Sequence, residues 1–487
     1  MNAHQCNRRE EVHSRREFLV KSAFGFGTLA LTHIFDKESA WTSVFASNQL
    51  PPAINPLAAK PSHFQAKARS VIFLFMQGGQ SHVDTFDPKP VLTRLNGESL
   101  PPSFAAEGLN LQFLKASEAK LMGAQFPFHK CGKSGLELSE LFPNLARHAD
   151  DLAVIRSCYH DSFIHGPALN LLYTGSLLVG NASMGAWVLY GLGSESDNLP
   201  AFMVMTDGSL NGRNRKSFGS GFLPAIYQGT LVRTEGSPIM NLTPPRYIAP
   251  NEQRVMLDQI NKWNQEYSEG REDDSRLSAR IANYELAFRM QMAAPELIDI
   301  TKEPEGIRRM YGLDEESTAK FGRICLLARR MVERGVRFIQ LISTDWDGHA
   351  ECDKNHLENS RKIDKPIAGL LADLKQRGLL ESTLLVSSGE FGRTPIMQGN
   401  RGRDHSPYGF SSWMAGGGIR GGKVIGSTDD LGFRAVEDKV HVHDLHATML
   451  SLLGLDHKKL TYFYQGRDRR LTDVGGANDL AARLIKA

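Results

Sequence analysis

Short apolar runs recur along the chain, separated by longer stretches in which apolar residues return at helical spacing. Ser70–Met76, Val336–Ile342 and Thr383–Val386 are apolar almost throughout, as strands buried on both faces of a parallel sheet are. Leu152–Ile155, Pro200–Met205 and Phe410–Ala415 read as further strands. Ala319–Glu333 and Lys354–Arg377 read as amphipathic helices. The second makes a strand–helix–strand unit whose length suits a crossover between parallel neighbours. Leu136–Ala149, a helix entered near Pro167 and ended at Thr174-Gly175, and His443–Leu453 complete the predicted helices. Pro167 fits a first turn, where its missing N–H costs nothing. The pattern predicts an α/β fold with a parallel sheet.

The rhythm changes elsewhere. Residues 91–132 look loop-rich. From Thr206 to about Glu315, a Gly/Ser-rich stretch (Ser217–Phe222) precedes a long amphipathic region (Asn251–Ala293) rich in Glu, Arg and Gln. This predicts a helical cap inserted over the sheet at about 206–315, with peripheral helix as the equal alternative. Residues 47–66 are rich in Pro, Ala and Ser and read as a linker, so the folded domain is expected over 67–487.

With 487 residues, 41% hydrophobic and 23% charged, the composition is that of a globular protein with a large core. A net charge of +3 makes no case for nucleic acid as a partner. Ser14-Arg15-Arg16-Glu17-Phe18-Leu19-Val20-Lys21 is a twin-arginine export pattern. It precedes an apolar run, Ser22–Phe35, that is too short to span a bilayer. Val44-Phe45-Ala46 offers a cleavage site. Residues 1–46 are therefore expected to be a twin-arginine signal peptide. The export machinery is then a partner, the location periplasmic or extracellular, and no integral membrane segment remains after its removal. The five cysteines show no CxxC spacing and specify no disulfide.

Candidate chemistry clusters where predicted strands end. Asp345, Asp347 and His349 follow the Val336–Ile342 run, and ligands in open α/β sheets sit at the carboxyl ends of strands. Glu390 and Arg393 follow the next run, and Arg403-Asp404-His405 comes soon after. Gln77-Gly78-Gly79 leads from the first strand to His82 and Asp84, which could face the same site. His165 stands at a predicted helix N-terminus, where free N–H groups and the dipole favour an anion. Asp345, His349 and His405 form a His₂–carboxylate set suited to a divalent cation such as Zn²⁺. Loop capping and ordinary buried polar roles are the plain alternatives. His441, His443 and His446 read as mostly structural, with Asp444 as a helix N-cap.

The order of these clusters resembles the alkaline phosphatase and sulfatase superfamily. More narrowly, almost all of the chain after residue 46 resembles the sulfatase-like domain-of-unknown-function 1501 (DUF1501) family. The motifs that carry this are Phe75-Met76-Gln77-Gly78-Gly79 with Ser81–Asp87, Ser134–Leu141, Glu390-Phe391-Gly392-Arg393-Thr394-Pro395, and Arg403-Asp404-His405 ahead of Gly416-Gly417-Gly418. The resemblance implies an alkaline-phosphatase-like three-layer sandwich with a mainly parallel central sheet and helices on both faces. It also implies a divalent metal (Zn, Mn or Ca) held by Asp345, His349, His405 and Glu390. His165, Glu390 and Arg393 are then catalytic, while His82, Asp84 and Asp347 touch substrate or a second metal. The expected substrate is an anionic small-molecule or polysaccharide ester.

The departures matter as much. Gln77-Gly78-Gly79 replaces an early Asp, and Glu390-Phe391 replaces an Asp-His pair. His165 occupies the register of the sulfatase nucleophile, which excludes formylglycine chemistry there and leaves Ser162 as a weak substitute. The expectation is a metal-dependent hydrolase of a sulfate or phosphate ester that lacks the usual Cys or Ser nucleophile. The alternative is a non-catalytic binding or scaffold protein for an anionic polysaccharide or a partner enzyme.

Overall fold

A computed structural model describes residues 56–102, 104, 119–210, 218–233, 250–268, 275–472 and 480–485. The export pattern, its cleavage site, Cys6 and the parts of the cap region at 211–217, 234–249 and 269–274 lie outside the described residues.

The apolar runs form the central sheet. In chain order its strands are β1 (Ser70–Met76), β2 (Leu152–Tyr159), β3 (Phe202–Thr206), β4 (Thr230–Leu231), β5 (Phe338–Ser343), β6 (Thr383–Ser388), β7 (Phe410–Gly416), β8 (Lys423–Ile425) and β9 (Val440–His441). They lie side by side as β8–β2–β7–β6–β1–β5–β3–β4, with β9 also on β2. β1 pairs in parallel with β5 and β6, and β3 in parallel with β4 and β5. Only β7 runs antiparallel, between β6 and β2. That reversal has a functional consequence. The start of β7 lies at the same edge of the sheet as the carboxyl ends of β1, β5 and β6.

Strand β1 shows why the runs are continuously apolar. Val71, Phe73 and Phe75 enter one core cluster, and Ile72, Leu74 and Met76 enter another. Side chains alternate across a strand, so burying both sets requires cover on both faces. The first face is covered by α1 (His165–Thr174), α2 (Met184–Leu192) and a late helix, Val442–Leu452. The second is covered by Glu316–Glu333 and Cys352–Gln376. In chain order these are α5, α6 and α7, after α3 (Pro250–Ser268) and α4 (Ser275–Ile298): α5 is Glu316–Glu333, α6 is Cys352–Gln376 and α7 is Val442–Leu452. The three-layer α/β sandwich with a mostly parallel sheet is therefore the architecture found. No helix among the described residues is long and apolar enough to cross a membrane.

Three local readings are revised. Leu136–Ala149 is not one helix. Leu136–Ser139 is a strand paired with Phe128–Cys131, and a 3₁₀ helix begins only at Leu145, after Pro143. Leu136 and Leu138 are buried and Glu137 is not, a two-residue period that the Leu-rich run disguises. Asp444 is the third helical residue of α7, not its N-cap. It closes a capping box by accepting from the His441 N–H, and His441 is the N-cap.

The third concerns the expected linker. Its described part is a seated strap. The Ser194 N–H donates to Leu57 O and the Lys60 N–H to Leu192 O, and directly after the strap the Lys67 and Ala68 N–H groups donate to Leu452 O. Lys60 Nζ donates to Tyr190 O at 2.8 Å and sits over the Tyr190 and Tyr227 rings. In the stretch expected as a cap or as peripheral helix, α3 and α4 are tied by Arg254–Glu285, and α4 meets α5 through Arg330 and Arg334 on Glu296. Cys131, Cys158, Cys325 and Cys352 are all free thiols.

Candidate metal centre

Four side chains from two loops and a helix start meet at the carboxyl edge of the sheet. Asp347 and His349 follow β5, His165 opens α1, and His405 lies in a short hairpin just before β7. Each offers one ligand atom, and these atoms all lie within 4.8 Å of one another. His349 Nε2 is 2.9 Å from His405 Nε2, and both lie close to Asp347 Oδ1, at 3.2 and 3.3 Å. His165 Nε2 is 3.2 Å from Asp347 Oδ2. Tetrahedral bonds of the usual Zn–N and Zn–O length put ligand atoms about 3.4 Å apart, close to the 2.9 to 3.3 Å among His349, His405 and Asp347 and the 3.2 Å from His165 to Asp347.

Each imidazole is oriented from behind. His165 Nδ1 faces Glu390 Oε1 at 2.8 Å, His349 Nδ1 faces Gln398 Oε1 at 2.7 Å, and His405 Nδ1 faces Phe163 O at 2.8 Å. A carboxylate or carbonyl oxygen accepts and cannot donate. The Nδ1 atoms therefore carry protons, and Nε2 is the atom each ring turns into the group, a lone pair for a cation when the ring is neutral and a donor to Asp347 when it is protonated. Two such lone pairs 2.9 Å apart repel unless a cation or a proton lies between them. In the cation-free group, His165 is raised to about 9: burial opposes its charge, but the Asp347 and Glu390 carboxylates outweigh burial. His349 is raised by Asp347, and His405 is lowered by burial. Asp347 is held far below the ordinary carboxylate range, against burial, by the three imidazoles and Arg393.

The glycines explain how the loops reach these positions. Gly78 has φ +116°, and a Cβ there would lie 2.4 Å from Asp347 N. The loop after β1 can therefore press against the Asp347 backbone, where the Gly78 N–H also meets both oxygens of Glu390 at 3.0 Å. Trp346 is fully buried and anchors the loop from the other side. Its N–H donates to Gln77 O, and its Nε1 donates to Ser343 Oγ. Phe391 is fully buried and stacks on the His405 ring, with centroids 4.3 Å apart. Gly402 packs so tightly that a Cβ would meet His349 O at 1.8 Å. Gly402→Ala is expected to shift His349 and weaken metal binding by roughly 10–100-fold with the fold retained. A metal titration beside a circular-dichroism melt reads this, and unchanged affinity would refute it.

The structure brings together His165, Asp347, His349 and His405 and places the other expected residues elsewhere. Asp345, expected as a ligand with His349 and His405, is outside the group. At φ +75° its carbonyl turns to the Asn355 and Asn359 amides, and its carboxylate accepts from Thr344 Oγ1. Glu390, expected as a ligand and a catalytic residue, is fully buried behind His165. Arg393, expected to be catalytic, is also fully buried. Its donors go to Gly78 O, Gly79 O, Arg403 O and the Asp347 carboxylate. His82 and Asp84 do not face the site. His82 Nε2 bonds Gly432 O, and Asp84 pairs with Arg403. Ser162 Oγ bonds the Ile164 backbone and is outside the group of four. His443 and His446 bond the Gly175 and Leu172 carbonyls at the end of α1. Among the described residues no second cluster of metal-ligating side chains forms. Gln398 and the Phe163 carbonyl had no sequence signal, since one is a lone amide in a loop and the other is backbone.

A family model described as a protein of unknown function (DUF1501) matches residues 68–482. No curated protein matches the chain. Several solved structures resemble it. The lipoteichoic acid synthase LtaP from Listeria monocytogenes is 10% identical, with 82% of this chain and 76% of that one covered and a TM-score of 0.35. A protein in the alkaline phosphatase superfamily from Vibrio parahaemolyticus is 12% identical, covering 86% and 74%, with a TM-score of 0.33. The alkaline phosphatase from the Antarctic bacterium TAB5 is 9% identical, covering 80% and 100%, with a TM-score of 0.32. At these scores the likeness carries no argument about the site.

Proposed function

This chain belongs to the DUF1501 family, and on that premise we propose that it is an exported, sulfatase-like hydrolase. It cleaves a sulfate or phosphate ester, with a divalent metal held by His165, Asp347, His349 and His405 and with water as the nucleophile. The observation that carries this reading is the convergence of three imidazole Nε2 atoms and one carboxylate, with every Nδ1 held by an oxygen. The donor set suits such a cation, which when bound supplies Lewis-acid polarisation of an ester oxygen and a lowered pKa for water. Asp347 is the anionic donor, and the buried Arg393 guanidinium fixes its carboxylate. Glu390 keeps the proton of His165 on Nδ1. Half-exposed Asp347 and His349 leave the group open to solvent on one side, as a catalytic site requires.

The twin-arginine pattern supports a periplasmic or extracellular site of action, since that route carries proteins already folded. The test is elemental analysis of the purified protein, followed by assay on p-nitrophenyl sulfate, p-nitrophenyl phosphate and bis-p-nitrophenyl phosphate with and without chelator. The reading expects about one metal per chain and chelator-sensitive release of p-nitrophenol from at least one ester. A protein that takes up no metal after supplementation would end it.

A further inference from the structure

We infer that the group is a nitrogen-rich, single-ion site that selects a borderline transition cation of the Zn²⁺ class over Ca²⁺ or Mg²⁺, and that Glu390 is its positioning residue and not a ligand. This rests on the metal-dependent reading above. It goes further by naming the cofactor's chemical class and by moving Glu390 out of the coordination sphere.

The selectivity follows from the donors. Three of the four are imidazole nitrogens and one is a carboxylate. Ca²⁺ takes six to eight oxygen ligands, and Mg²⁺ takes oxygens in a strict octahedron. Imidazole suits Zn, Cu, Fe and Ni. The other carboxylates that could supply oxygens are turned away or already engaged. Asp345 accepts from Thr344 Oγ1, and Asp404 Oδ1 accepts from the His405 N–H. Glu390 is spent on Gly78 and His165. Without those three carboxylates, the group lacks the oxygens a hard cation needs.

The role of Glu390 follows from how it is held. Its side chain is fully buried, and both oxygens take the Gly78 N–H at 3.0 Å. Gly78 presents that N–H from a backbone conformation closed to other residues by the Asp347 backbone. His160, itself buried, bonds the Glu390 carbonyl through Nε2. What remains of the carboxylate faces His165 Nδ1, on the far side of the ring from Asp347. A ring pinned by a carboxylate on Nδ1 and offering Nε2 is the arrangement that orients a metal-ligating histidine, and such partners are worth roughly 10–100-fold in metal affinity. Gln398 does the same for His349 with an uncharged oxygen.

The test is a Co²⁺ titration of the full chain, followed by the visible d–d absorption of the bound ion. One Co²⁺ per chain is expected, displaced stoichiometrically by Zn²⁺ and not by millimolar Ca²⁺ or Mg²⁺. Glu390→Gln, which keeps the volume and one accepting oxygen, is expected to weaken Co²⁺ binding about 10–100-fold while keeping one ion per chain and the same band shape. Gln398→Leu, on a half-buried loop, is expected to do the same and covers the case in which the Glu390 variant fails to fold. His349→Ala is expected to lose stoichiometric binding. Displacement by Ca²⁺, or an altered spectrum in Glu390→Gln, would overturn the inference and leave the hydrolase reading standing. Binding as expected with no ester cleaved would support the inference and overturn the hydrolase reading. No binding of any ion would overturn both.

Discussion

Asp347→Ala is expected to leave the protein without its metal and to lower ester hydrolysis by on the order of a thousandfold. A bound cation is worth several kcal/mol to a hydrolytic transition state, and each 1.36 kcal/mol is about a factor of ten. Asp347 is the only carboxylate in the group of four, and it touches all three histidines. It also pairs with Arg393, which is fully buried. The substitution therefore removes a ligand and strips that guanidinium of its carboxylate partner beside the site, where its charge then repels a cation. Metal content and kcat/KM should fall together. Asp345→Ala is the control: two residues away but facing Thr344, it should leave metal content unchanged. A variant at Asp347 that keeps a full equivalent of metal would refute the assignment.

Arg403→Met is expected to cost about 3–5 kcal/mol of stability, the range for removing one partner of a buried ion pair. Arg403 and Asp84 are both almost wholly buried and pair through two hydrogen bonds, Nε to Oδ2 at 2.7 Å and Nη2 to Oδ1 at 3.1 Å. The same guanidinium donates to Met122 O, Gly123 O and Thr394 O, so it ties its own loop to the one at Met122 and braces its two ends just ahead of His405. The pair also has a pH signature. Burial alone would raise the Asp84 carboxyl, but the charge and hydrogen bonds of Arg403 reverse this and hold it below the ordinary value. A depressed folded-state pKa contributes stability that is complete above the unfolded value, about 3.9, and is lost as pH falls through the folded one. In Arg403→Met burial wins and raises the carboxyl, so protonating Asp84 relieves part of the penalty, and the deficit relative to the parent protein should be largest near neutral pH and shrink as pH falls through the raised value. Denaturant midpoints at about pH 7 and across roughly pH 3–5 would show both effects. A variant with the parent's midpoint would show that the pair is neutral.

Why the sheet could be read and the site only in part is a matter of range. Ser70–Met76 and Thr383–Val386 are strands because two faces are buried, and that leaves a continuous apolar signature in the chain itself. Leu136–Ala149 misled because its leucines satisfy helical spacing, while the partner that makes Leu136–Ser139 a strand is supplied by His129 and its neighbours. At the site, His165, His349 and His405 were visible as imidazoles at element ends. The choice between Asp345 and Asp347 was not, because it depends on one residue's φ. Asp345 adopts +75°, which turns the loop so that Asp347 is the carboxylate brought to the histidines. Spacing in sequence carries no record of that turn. Arg393 and Asp84 carried a plausible chemistry in sequence, and only their burial shows that the fold uses them internally.

Strand β1 is synthesised first among the strands of the central sheet and is among the last to be completed. Both of its neighbours, β5 and β6, arrive late, and Ser70 Oγ bonds Val336 O across 266 residues of chain. An emerging polypeptide therefore carries a seven-residue, almost wholly apolar segment with both backbone edges unpaired until most of the sequence has been made. Long-range parallel pairing of this kind is slow and exposed to aggregation. The nascent chain should accordingly depend on a holding chaperone during translation, and a chain cut short before β6 should be insoluble rather than partly folded.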